Sequence, residues 1–87
     1  MATREEVYAA IDSERDYQED KWGGHRHEAE SWTLFIEHYA GLARTQASTT
    51  DFTEVPNLIA YLDTLRKIAT LAVAAMEQHG APRREGY

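Results

Sequence analysis

Cysteine is absent from this 87-residue chain, so neither disulfides nor thiolate metal sites can compensate for a small core, and the redox compartment is left open. Long apolar runs are missing as well, and no stretch approaches the roughly 20 residues that span a bilayer. The opening residues Met1-Ala2-Thr3-Arg4-Glu5-Glu6 lack the basic and apolar regions of a secretory signal. No membrane partner and a cytoplasmic location are therefore expected. Positive charge is also scarce, with nine Lys and Arg against fifteen Asp and Glu and a net charge of -6. Long nucleic acid is thereby a poor partner, because its binders gain affinity from cations that neutralise phosphates. A small anionic ligand stays open, since it responds to local convergence of cations and not to the sum over the chain.

What is present is helical punctuation and helical periodicity, with no repeat and no low-complexity run. Thr3-x-x-Glu6 has the form of a capping box, Gly23-Gly24 breaks a helix, Ser31 suits an N-cap, and Gly80 followed by Pro82 reads as a stop. These signals predict helices over about 4–21, 32–47 and 57–79, a connecting loop over 48–56 and a basic tail over 81–87, all in one domain spanning 1–87. The short connection makes the last two helices an antiparallel hairpin, with the N-terminal helix added to it. On the second helix Trp32, Phe35, Ile36, Tyr39, Leu42 and Ala43 form an apolar face. The third carries one stripe, Leu58, Leu62, Leu65, Ala69, Ala72 and Met76, widened by Tyr61, Ile68, Leu71, Val73 and Ala75. That is more apolar surface than one neighbour covers, and the alanines permit close approach, so an all-α homo-oligomer assembled by helix packing is expected.

Several side chains could carry chemistry. Tyr17, Lys21 and Trp22, followed by the glycine turn and His25-Arg26-His27, could stack a base and hold a phosphate. The same residues also read as a helix C-terminus with cations near its dipole and Trp22 as a core anchor. His25 and His27, two apart in a loop, could reach one metal ion, but no third or fourth ligand stands at a diagnostic spacing, so no metal site is expected. Arg66 and Lys67 interrupt an apolar helix: one reading is a snorkelling side chain, the other a symmetric anion site in an oligomer. Glu14, Glu37, Asp63 and Glu77 lie near apolar stripes, but none has a second acid one turn away, and acids solvated on the helix flanks are the plainer reading.

The segments Glu14-Arg15-Asp16-Tyr17-Gln18-Glu19-Asp20-Lys21-Trp22-Gly23, Leu65-Arg66-Lys67-Ile68-Ala69 and Ala75-Met76-Glu77-Gln78-His79-Gly80-Ala81-Pro82 resemble a family of small phage and prophage proteins. The resemblance covers most of the chain except the loop from Ala47 to Val55. Such proteins are distantly similar to MazG-like nucleotide pyrophosphohydrolases, which place E-x-x-E on one helix and E-x-x-D on the next. Here Glu37 is followed by Ala40, and Asp63 by Arg66. By size and architecture the chain is also similar to phage sponge proteins that sequester cyclic-nucleotide immune signals in oligomers. These resemblances, with the incomplete carboxylate motif, imply a non-catalytic, cofactor-free protein that binds a small nucleotide and so counters host defence, and the aromatics and cations read above make Tyr17, Lys21, Trp22, His25, His27, Arg66 and Lys67 its expected binding residues. Two alternatives stand beside it: a magnesium-dependent pyrophosphohydrolase using Glu14, Glu37 and Asp63, and an acidic inhibitor that docks on a host enzyme.

Overall fold

A computed structural model describes residues 1–24, 26–49 and 51–85 as three helices, α1 (Arg4–Trp22), α2 (Ala29–Thr49) and α3 (Val55–His79), with no strand among them. The all-α fold expected from the periodicity is what forms. At the start of α1 the capping box closes in both directions: Glu6 N–H donates to Thr3 Oγ1 at 3.1 Å, and Thr3 N–H donates to Glu6 Oε1 at 3.3 Å. The helix ends where Gly23 adopts φ 54° and its N–H reaches the Glu19 carbonyl, a backbone conformation that a residue without Cβ enters freely. Gly80, at φ 126°, ends α3 in the same manner, with its N–H on the Met76 carbonyl.

The end of α1 falls one residue and that of α2 two residues beyond the sequence reading, and two helix starts differ from it. Helix α2 begins at Ala29, and Trp32 N–H already donates to the Glu28 carbonyl, so Ser31 lies inside the first turn and does not cap it. Helix α3 begins at Val55 and takes Pro56 into its first turn, where a missing N–H leaves nothing unsatisfied.

Trp32 near the start of α2 bonds Gln78 near the end of α3, and Tyr39 further along α2 meets Lys67, so the two helices run antiparallel. Their core is Trp32, Leu71 and Ala74, with Ile36, Tyr39 and Ala75 packed around it. Thr70, fully buried, and Thr64 complete this face of α3. Their hydroxyls donate to the Arg66 and Ala60 carbonyls one turn back, which lets them bury almost as aliphatic residues.

Helix α1 is attached differently. Gln18 is its one buried residue, and Val7, Tyr8, Tyr17 and Trp22 are exposed. Two arginines make the attachment: Arg15 donates through Nε to Glu77 of α3 at 2.6 Å, and Arg66 of α3 donates through Nε to Glu14 of α1 at 2.8 Å. Adjacent residues 14 and 15 thus reach positions eleven apart on α3, about 16 Å along its axis. Helix α1 therefore lies across α3 rather than alongside it.

Candidate functional site

Both α1 and α2 rest on α3, yet among the described residues no Cα of α1 comes within 8 Å of one in α2. The gap is a trough floored by α3, and it has two ends. One is a cavity of about 590 Å³ between the C-terminal half of α1, the first half of α2 and the last turns of α3. The other, of about 720 Å³, lies further toward the middle of α1 and α3. Gln18, Trp22, Tyr39 and Leu71 line both, so the two adjoin, and each lies within the size range of small-molecule sites.

The first end is aromatic. Trp32, Phe35 and Tyr39 come from one face of α2, and Trp22 stands on the opposite wall, half exposed. The His27 ring meets Trp32 and Phe35 edge-on, at centroid distances of 4.8 and 5.1 Å. Its backbone is held at both polar groups by Gln78: His27 N–H donates to Gln78 Oε1 at 3.0 Å, and Gln78 Nε2 donates to the His27 carbonyl. Trp32 Nε1 donates to the same Gln78 oxygen at 3.2 Å. One glutamine therefore anchors the α1–α2 loop and orients the indole.

The second end is cationic. Lys21 Nζ lies 5.6 Å from the Tyr17 ring and 5.7 Å from the Trp22 ring, and Lys67 Nζ lies 5.8 Å from the Tyr39 ring. Such contacts leave the ammonium able to receive an anion on its open side. Neither lysine joins any of the four ion pairs among the described residues. Arg66 also lines this end, but its guanidinium holds Glu14 and, through Nη1 at 2.6 Å, Asp63. Those two carboxylates, Glu14 first, raise the Arg66 pKa above its ordinary value despite desolvation. Arg15, at the rim of the aromatic end, is raised likewise by Glu77 and then Glu19.

Of the seven residues marked by sequence, Tyr17, Lys21, Trp22, Arg66 and Lys67 share the cationic end, and His27 lies in the aromatic end with Trp22. His25 is outside the described residues. Sequence reasoning missed the aromatic wall of Trp32, Phe35 and Tyr39, whose spacing looks the same for a core stripe as for a binding wall. It grouped Glu14 and Asp63, with Glu37, only in the hydrolase alternative, and missed that Arg66 joins the two. They converge on a guanidinium, and with side-chain exposure of 13% Glu14 is not the solvated flank acid expected of it. Among the described residues no three of His, Asp and Glu stand together as a metal site would require. Comparison of the chain with protein-family models, with curated proteins and with solved structures finds no match.

Proposed function

We propose that the trough binds a small nucleotide, the aromatic end stacking the base and the cationic end taking the phosphates. In keeping with the phage-protein resemblance, the chain would sequester such a signal in an oligomer and not turn it over. The observation that carries this reading is that an aromatic and a cationic cavity adjoin, with Trp22 and Tyr39 lining both. A nucleotide is itself bipolar, flat and apolar at one end and anionic at the other, and the trough matches that polarity in a chain whose net charge is otherwise -6. Base stacking on aromatics contributes about 1–3 kcal/mol per base, and a charge-assisted bond to phosphate about 1.5–3 kcal/mol.

Calorimetric titration with cyclic di- and trinucleotides, ADP-ribose-type signals and NTPs tests the reading. Binding by at least one is expected, weakened about tenfold or more by Lys21→Ala and by Lys67→Ala, since about 1.4 kcal/mol is a factor of ten. Silence across the panel, in heat and in thermal shift, overturns it. Arg66→Ala is a poor probe, because it also releases Glu14 and with it α1. A second reading, a magnesium-dependent pyrophosphohydrolase using Glu14, Glu37 and Asp63, draws on the nearness of Glu14 to Asp63, although both carboxylates already hold the Arg66 guanidinium, a cation that repels magnesium. Pyrophosphate release from a deoxynucleotide panel with magnesium, abolished by Glu14→Gln, would replace sequestration with catalysis.

A further inference from the structure

The stripe on α3 that the sequence marks most strongly is not the one the chain buries. Leu71, Ala74, Thr64 and Thr70 form the internal face, whereas Leu58, Leu62, Leu65 and Met76 are 37%, 50%, 38% and 48% exposed. With Ala69 and Ala72 these residues recur at alternating spacings of four and three, the seven-residue repeat that keeps an apolar seam facing a second helix. The seam runs about 27 Å along α3. It is turned away from the core.

The surface area points to what covers it. A folded monomer of this mass exposes about 5,200 Å², whereas this chain exposes 7005 Å². The excess, about 1,800 Å², is well beyond the roughly 800 Å² that each partner contributes to a standard stable interface. The exposed apolar side chains are spread over all three helices, and on α3 they are concentrated in the seam.

We infer that the seam binds a second copy of this chain, with the two α3 helices antiparallel. Side-chain sizes along the seam select both the occupant and the direction. Set antiparallel about a twofold axis, Leu65 faces the partner's Ala69, Leu62 faces the partner's Ala72, and Leu58 faces the partner's Met76. Every central layer then opposes a large side chain to a small one, and the same happens twice because the contact is self-complementary. A parallel pair would stack leucine on leucine at 62 and 65 and alanine on alanine at 69 and 72, crowding one half and leaving voids in the other. The flanking positions agree: Ile59 and Val73 extend the apolar strip, and Arg66, which the axis brings near its own copy, carries Glu14 and Asp63 on its guanidinium. This inference does not depend on the nucleotide reading.

The cysteine-free chain makes the test direct. Sedimentation equilibrium of the full chain is expected to give twice the chain mass, and Leu62→Glu, with helicity retained, is expected to weaken association at least about a hundredfold by placing two carboxylates in the seam. A parent chain that stays monomeric up to millimolar concentration, or a dimer indifferent to Leu62→Glu, overturns the proposal. Orientation is read without disturbing the fold: Leu65→Cys and Ala69→Cys chains, mixed and oxidised, should form the mixed disulfide in preference to either like pair. Preferential like-pair disulfides would mean a parallel seam and overturn the antiparallel assignment.

Discussion

Gln78 does more than any other single side chain to hold the loop between α1 and α2. Its amide accepts from His27 N–H and Trp32 Nε1 and donates to the His27 carbonyl, copying the paired bonds of a strand neighbour with one side chain. His79 adds a ring-nitrogen contact to that carbonyl at 3.2 Å. Gln78→Met keeps the volume and removes all three amide bonds, leaving the indole N–H and the loop backbone short of partners. A loss of about 2–3 kcal/mol is expected, read as a lower urea midpoint and a Tm fall of about 10 °C or more. Gln78→Glu, which keeps the acceptor but turns an anion on the His27 carbonyl, should recover only part of it. Equal stability of parent and Gln78→Met would mean that Trp32 and His27 are held by packing alone.

At the scale of the elements, the turn before α3 is built on Asp51. Its carboxylate accepts from Thr53 N–H at 2.9 Å and Thr53 Oγ1 at 2.7 Å, while Asn57 Nδ2 donates to the Asp51 carbonyl at 3.1 Å. The bond from the Thr53 hydroxyl, and then that from its N–H, hold the Asp51 pKa below the ordinary carboxylate value. A depressed acid favours the folded turn above its ordinary pKa and loses that contribution as pH falls through the depressed value. The Thr53 amide should accordingly stay protected near neutral pH and lose protection only on the acid side of the usual aspartate range, and Asp51→Asn should remove that pH dependence. The ends of these elements were legible because Thr3, Glu6, Gly23 and Gly80 act through their own backbone and nearest neighbours. The faces were not. Periodicity shows that Leu58 to Met76 form an apolar strip, but not whether this chain or another covers it, and it passes over Thr64 and Thr70 because their hydroxyls are satisfied within the helix. The cationic end was legible from Tyr17, Lys21 and Trp22 lying together, whereas the ion pair of Glu14 with Arg66, 52 residues away, depends on how α1 crosses α3.

Over the whole molecule, two helices lean on a third and not on each other. Because α1 buries only Gln18 and is otherwise attached chiefly through half-buried ion pairs, which are worth little where water can screen them, it should open before the hairpin does. Hydrogen exchange is expected to run at least about tenfold faster across α1 than across α3, with the gap widening at high salt as screening shortens the reach of the pairs. Uniform exchange through all three helices would show instead that α1 belongs to one cooperative unit. The junction between the leaning helices is Gly23-Gly24, where a side chain added at either glycine would meet nothing within 4 Å. Were α1 to open ahead of the hairpin, as the exchange prediction has it, the width of the trough would follow the angle of α1, and the length of the proposed ligand would be limited by that angle and not by the volume of a rigid pocket.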